Sequence, residues 1–270
     1  MRKLIEKIKF RNRFSADIIE IVAVTGASEV GAGKAGKDLM WTASIKLIAW
    51  KNLKKNEPTI TEEVRLEWLV TDEEWEKSKG ILEKNTIVKL LVHRAEKSMM
   101  LVKVLDTVFR DDELEKILQD SMKPVFYNDE ILGNFELDKR VKLFQKKISW
   151  AGEEGNLYFD WNEDKNIMKH ALETAYALFN DQIEWNKKIR SYASEELVEL
   201  ANDWLQDNDE AELAEITKEM FIDFMELDSI SVYPEGDFEI FFFDGDMFWG
   251  HSIIVNGNIN GSFTSANIAG

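Results

Sequence analysis

Three carboxylates and one imidazole near the C-terminal end of the sequence have the side-chain types of a metal or acid–base site. They belong to Asp237, Asp244, Asp246 and His251. Carboxylate oxygens and imidazole nitrogens bind divalent cations, and the same groups can transfer protons. Asp237, Asp244, Asp246 and His251 are therefore candidate metal ligands, and the last three are the candidate catalytic residues of a metal-assisted hydrolase. The alternative is structural, since Asp-Gly pairs favour hairpin turns and a strand histidine is commonly hydrogen-bonded.

A glycine-rich segment, residues 31–38, carries Lys34 and Lys37 and partly matches two nucleotide-binding motifs. In a P-loop the residue after the lysine is Ser or Thr, whose hydroxyl binds Mg²⁺, but here it is Asp38. Both motifs also require a helix directly after the loop. Residues 39–50 instead alternate in polarity with period two, which predicts a strand. The segment is therefore interpreted as a hairpin loop, in which Lys34 and Lys37 are candidate nucleic-acid contacts.

The charges are distributed unevenly along the 270 residues, whose formal net charge is −17. Residues 1–106 hold 20 Lys and Arg against 16 Asp and Glu, whereas residues 107–270 hold 14 against 35. This asymmetry predicts two units with different surroundings. The acidic residues either keep the second unit hydrated or attract a basic protein.

Several classes of protein are excluded by what the sequence lacks. Without cysteine there is no disulfide framework, thiolate metal site or cysteine nucleophile. No apolar run approaches the roughly 18–20 residues of a membrane helix, and the basic first 14 residues lack the apolar segment of a signal peptide. We expect a soluble cytoplasmic protein with no cofactor and no membrane partner. The oligomeric state is left open.

The predicted elements of the first half follow the order of a small barrel. Strands are predicted at residues 18–24, 39–50, 64–70, 86–93 and 99–106, and a short helix begins at Thr71 between the third and fourth. This is the order of a five-stranded OB-like barrel. With a helix at residues 111–122, it forms a first domain at residues 1–122. Trp41, Trp50 and Trp68 are either packed inside it or form stacking platforms for single-stranded nucleic acid.

The second half alternates between strand and helix patterns. Strands are predicted at residues 133–137, 141–150, 156–161, 229–233, 237–243 and 247–256, with helices over residues 163–226. Turns are predicted at residues 151–155, Asn256-Gly257 and Asn260-Gly261. The predicted fold class is thus α+β: an OB-like antiparallel β-barrel, followed at residues 123–270 by an acidic domain with an antiparallel sheet packed by helices.

Three stretches of the second half resemble an uncharacterised bacterial family, domain of unknown function 2262. They are Ile131 to Leu137, Ile148 to Gly152, and Asp244 to Ile253, in which Phe248-Trp249-Gly250-His251 is the most specific part. The resemblance covers residues 124–270. It implies a bacterial source and assigns no catalytic residues.

Three functions remain after these exclusions, and a non-catalytic one is favoured because no Gly-x-Ser-x-Gly or comparable catalytic pattern is present. The leading hypothesis is an interaction protein whose acidic C-terminal domain binds a basic protein, for example to neutralise a toxin. The first alternative is nucleic-acid binding through the barrel. The second alternative is metal-assisted hydrolysis at Asp244, Asp246 and His251.

Overall fold

Two units make up the computed structural model, which describes residues 1–54, 57–207 and 213–270. They are Met1–Lys123 and Pro124–Gly270. Each has its own hydrophobic core, the first inside a closed five-stranded barrel and the second between a sheet and its helices. The predicted α+β class, with a barrel preceding a helix-packed sheet, is therefore confirmed.

In its described residues, 1–54 and 57–123, the first unit contains three helices and six strands. They are α1 (Arg2–Arg11), β1 (Ile18–Thr25), β2 (Gly31–Gly33), β3 (Trp41–Asn52), β4 (Val64–Val70), α2 (Asp72–Ser78), β5 (Ile87–Arg94), β6 (Ser98–Asp106) and α3 (Asp112–Met122). The barrel closes in the order β1-β3-β4-β6-β5-β1, and only the β4–β6 pair is parallel. With α2 between β4 and β5, this is the OB topology.

A capping box explains where α2 begins, and a bulge explains where β3 changes face. Thr71 caps α2 through a capping box, because its side chain accepts from the Glu74 amide while the Glu74 carboxylate accepts from the Thr71 amide. In β3 the pairing with β1 skips Ile48, which forms a bulge. The predicted alternation therefore breaks there, and beyond the bulge Trp50 faces the barrel core while Ala49 packs towards α3.

Two features of the first unit differ from the sequence predictions. Gly31–Gly33 is not loop but the short strand β2, which pairs with residues 42–44 of β3. The basic N-terminal residues form α1, which no periodicity argument had predicted.

The part of the second unit that the structure describes contains eight strands and three helices. They are β7 (Phe126–Asp129), β8 (Gly133–Asp138), β9 (Leu143–Trp150), β10 (Glu153–Asp160), α4 (Lys165–Asn180), α5 (Gln182–Gln206), α6 (Lys218–Phe224), β11 (Glu226–Val232), β12 (Asp237–Phe243), β13 (Ser252–Asn258) and β14 (Phe263–Ala269). The predicted helical region 163–226 also spans residues 208–212, which lie outside the described residues. In the described part, no helix is long and apolar enough to cross a membrane.

All eight strands form one sheet in sequence order, which gives seven neighbouring pairs, and the sequence predicts an antiparallel arrangement throughout. One pair departs from it: β10 and β11 are parallel, over residues 156–158 and 229–231. The chain between them crosses over through α4, α5 and α6, because a parallel pair cannot be joined by a tight turn. The sheet therefore consists of two antiparallel halves that meet at a single parallel pair.

Turn residues explain two further differences. The β9–β10 turn is only Ala151-Gly152, both with positive φ (49° and 93°), so that residues 153–155 are strand. Asn256-Gly257 is not a turn: Gly257 lies inside β13, where a methyl group would come within 2.7 Å of Phe238 Cζ. The predicted turn at Asn260-Gly261 does join β13 to β14.

Candidate functional site

The loop between β12 and β13 is organised by the carboxylate of Asp244. Asp244 is only 4% exposed. It accepts hydrogen bonds from the amides of Phe248 (2.7 Å), Gly250 (3.1 Å) and Asp246 (3.2 Å). Hydrogen bonds from amides to a carboxylate are stronger than neutral ones. Asp244 therefore fixes the loop backbone with its own oxygens.

This loop holds Trp249 at the surface in an uncommon conformation. Its φ of 56° lies in the left-handed region, and the residue is 58% exposed. The Trp249 ring packs on Trp204 of α5, with centroids 4.8 Å apart. His251 flanks the pair, because its ring lies 5.2 Å from Trp204 and its Nδ1 donates to the Phe248 carbonyl at 2.6 Å. A strained backbone that presents a large exposed side chain is a feature of binding surfaces.

The four candidate metal ligands are not brought together. Asp244 and His251 share the loop, but each makes hydrogen bonds to its backbone, and Asp246 is exposed. Asp237 begins β12 at the far end of the strand, where it accepts from Asn258 Nδ2 at 2.7 Å. Among the residues that the structure describes, no group of three His, Cys, Asp or Glu is placed to hold a metal ion. The sequence-predicted metal and catalytic roles thus stay predictions.

Of the two faces of the sheet in the second unit, the described helices pack on one and leave the other uncovered. Leu157, Ile230, Ile240 and Val255 form a row across four strands and belong to the same core cluster as residues of α4, α5 and α6. Successive strand residues point to opposite faces, so their sequence neighbours face away from the helices. We call this second surface the open face.

The open face is strongly acidic. Its positions on β8 to β12 include eight carboxylates and one lysine: Glu136, Asp138, Glu154, Asp160, Glu226, Asp228, Asp237, Glu239 and Lys147. One of the eight, Asp138, is bridged by Arg140. Glu154 and Glu226 also line a cleft of about 600 Å³, whose other charged lining residues are Glu153, Asp223 and Arg190.

Two tyrosines on the open face have raised pKa values. Burial raises the pKa of Tyr233, and the hydrogen bond from its hydroxyl to Glu239 (2.9 Å) raises it further. Burial also raises the pKa of Tyr158, with further contributions from the negative charges of Asp228 and Asp138. Both phenols are thus held neutral beside carboxylates.

Apolar side chains lie on this face as well. Phe243 is 54% exposed at the end of β12, and Phe241 is partly exposed two residues before it. Phe241 is paired with Ile254 of β13. Sequence reasoning did not single out these residues, although the alternation of polar and apolar residues over positions 237–240 was a signal for a strand with two different faces.

The barrel presents a second, more mixed surface around β3 and β4. Lys34 bonds to Asp72 (3.5 Å) and lies over the Trp41 ring (5.5 Å), while Lys37 is exposed. Trp41 donates to Asp72 at 2.7 Å and stays partly exposed. Trp50 and Trp68 are buried in the core, 1% and 8% exposed, which excludes them as stacking platforms.

Two adjoining clefts of about 400 Å³ share Arg65 on this surface. Their charged lining residues are five cations (Arg13, Lys34, Lys46, Arg65 and Lys97) and four carboxylates (Glu29, Asp38, Glu63 and Glu67). The clefts therefore have little net charge. They lie at the strands and loops with which OB domains bind oligonucleotides.

Comparison with known proteins identifies each unit with a family model. The model described as "Uncharacterized protein conserved in bacteria (DUF2262)" matches residues 129–268. The model described as "Domain of unknown function (DUF7021)" matches residues 6–121. No curated protein matches the chain. No solved structure matches it either.

Proposed function

The chain belongs to the DUF2262 family of bacterial proteins, and we propose that its second unit binds a basic protein through the open face of its sheet. The observation that carries this proposal is the placement of eight carboxylates and one lysine on a sheet face that the helices leave uncovered. A large face of one charge attracts an oppositely charged partner and accelerates their encounter.

The sequence reinforces the charge of this unit. Residues 191–270 contain 18 Asp and Glu, one Lys and no Arg. Charges of either sign keep a protein surface hydrated, and a surface that mixes both signs is sufficient for this. Such exclusion of cations from a long segment instead favours an electrostatic role.

Exposed aromatic residues supply the contacts that charge alone does not. Phe243 ends β12, and Trp249 lies in the loop that follows. Large aromatic side chains dominate the binding energy of many interfaces, while surrounding charges mainly set association rate and partner choice. The open face and this loop thus combine steering charge with apolar anchors.

Charge reversal at the acidic end of the open face tests the proposal. We expect Glu154→Lys with Glu226→Lys to abolish stoichiometric capture of a basic protein by the full chain from the source lysate. Both side chains are exposed, so folding should be retained. The measurement is the amount of captured protein at low and moderate salt, followed by the affinity of the purified pair.

The matched control reverses two exposed carboxylates on the outer side of α5, Glu195→Lys with Glu199→Lys. It changes the net charge equally but leaves the open face intact, so binding should persist. Equal loss in both variants would mean that only overall charge matters. Absence of any stoichiometric basic partner for the wild-type chain would refute the proposal.

Nucleic-acid binding through the barrel is the second candidate, and the OB topology with its two clefts at Arg65 favours it. It ranks second because contacts between cations and phosphates dominate the affinity for nucleic acid, and the four carboxylates that line the same clefts repel phosphates.

We expect Arg65→Ala to reduce the salt dependence of binding to a labelled single-stranded oligonucleotide by about one unit of log–log slope. Lys34→Ala with Lys37→Ala should weaken binding further. Lys103→Ala, at an exposed residue of β6, is the control. An oligonucleotide affinity that does not change with salt concentration would refute nucleic-acid binding through the barrel.

A further inference from the structure

Helix α1 exposes an apolar face to solvent. Leu4 is 61% exposed, Ile5 46% and Ile8 52%, and Met1 before them is fully exposed. At 3.6 residues per turn these side chains share one side of the helix. Single exposed apolar residues are common, but a contiguous group on one helix face indicates a contact surface.

The opposite side of α1 is fixed to the barrel, so the exposed face has a defined orientation. The Glu6 carboxylate accepts from the amides of Leu39 (3.0 Å) and Met40 (3.1 Å). Phe10 is buried, and its ring packs on Phe14 with centroids 5.3 Å apart. A helix that is anchored on its polar and aromatic side has no freedom to turn its leucine and isoleucines inward.

Cationic side chains border the apolar face on both sides. By helical periodicity Lys7 lies along one border, while Arg2 and Lys9 lie along the other. Arg11 follows Lys7 but is turned to the barrel side, since its guanidinium donates to the carbonyls of Phe14 (3.1 Å) and Ala16 (3.2 Å). Glu6 is the only acidic residue of α1, and it is occupied with the barrel amides. The side of the helix that faces solvent is therefore apolar in the middle and positive at its borders.

From this arrangement we propose that α1 binds the surface of an anionic lipid membrane. Basic amphipathic helices lie in the plane of the interface, with the apolar face among the acyl chains and the cations beside the lipid headgroups. Anionic headgroups complement both cationic borders at once. The expectation of no membrane partner rested on the lack of a long apolar segment, which argues against spanning a membrane and not against lying on it.

Flotation of the full chain with vesicles tests this proposal. Vesicles of phosphatidylcholine alone are compared with vesicles containing about one third phosphatidylglycerol. We expect binding only to the anionic vesicles, with weakening at high salt. Leu4→Gln with Ile8→Gln, and separately Arg2→Glu with Lys9→Glu, should each lower the apparent partition coefficient by about tenfold or more.

Controls change equally exposed residues elsewhere. Val108→Gln with Ile131→Gln removes two apolar side chains that are 76% and 74% exposed, and Lys103→Glu with Lys116→Glu reverses two exposed lysines. Neither should affect flotation, and circular dichroism verifies the fold of every variant. A wild-type chain that stays off anionic vesicles overturns the proposal. The proposal is also overturned if the chain binds neutral vesicles equally well. It is likewise overturned if the wild-type chain forms a dimer that the variant Leu4→Gln with Ile8→Gln does not form.

Discussion

Replacing Arg190 by alanine is expected to destabilise the second unit by about 2–4 kcal/mol, because it breaks a partly buried ion pair from one side and leaves several acceptors unpaired. The side chain is 8% exposed. Its guanidinium donates to the carbonyls of Met225 (2.6 Å) and Ile222 (3.1 Å), to Asn186 Oδ1 (3.0 Å) and to Glu153. Alanine would leave these acceptors without their donors in a partly buried site.

The position of Arg190 explains why the loss should affect the whole unit. Its Glu153 partner belongs to β10, and the other Glu153 oxygen accepts from the Leu227 amide of β11 at 2.8 Å. The guanidinium also lies 4.9 Å from the centroid of the Phe242 ring. One side chain thus ties α5 to both strands of the parallel pair.

Urea unfolding of the full chain, with amide exchange to locate the transition in the second unit, measures the effect. Arg140→Ala is the matched control, because that guanidinium is 65% exposed in its pair with Asp138 and should contribute at most about 1 kcal/mol. Arg190→Lys keeps the charge but not the fork geometry, so an intermediate loss is expected. If Arg190→Ala costs no more than Arg140→Ala, the assignment of a central role is wrong.

Asp244→Ala is expected to cost about 2–4 kcal/mol and to release the β12–β13 loop. Three backbone amides lose their common acceptor, and the most buried of them, that of Phe248, has least access to water. Because the loop positions Trp249 against Trp204, tryptophan fluorescence should change along with stability.

Asp246→Asn provides the control for this loop. Asp246 is exposed and has a φ of 66°, which asparagine tolerates, so stability should change by no more than about 0.5 kcal/mol. If basic-protein binding uses Trp249, Asp244→Ala should also weaken it. Unchanged stability and fluorescence in Asp244→Ala would show that the amide bonds do not hold the loop.

The order of the barrel strands could be predicted because each signal is local. Alternation identifies the strands, and the Thr71–Glu74 capping box identifies the helix between them. The Ile48 bulge and strand β2 could not be predicted, since both depend on how β3 pairs with distant segments. Helix α1 was missed because its apolar residues face solvent instead of a core.

The candidate metal cluster shows why proximity in sequence is a poor guide to a site. Asp237 begins strand β12 and Asp244 follows its last residue, which separates them by about 23 Å at roughly 3.3 Å per residue. The role of Asp244 as an acceptor of backbone amides has no sequence signature beyond a turn. Arg190 likewise looks like any surface residue of an amphipathic helix, because its partners come from β10 and from the segment around α6.

The single parallel pair of the large sheet has a consequence for the order of folding. β7 to β10 form a meander closed by short turns, and β11 to β14 form a second one. Each can assemble from local contacts, whereas β10 meets β11 only after the chain of α4, α5 and α6 has been brought back. The entropy of closing that loop must be lost before any contact between β10 and β11 compensates for it. The junction of the two meanders should therefore form last.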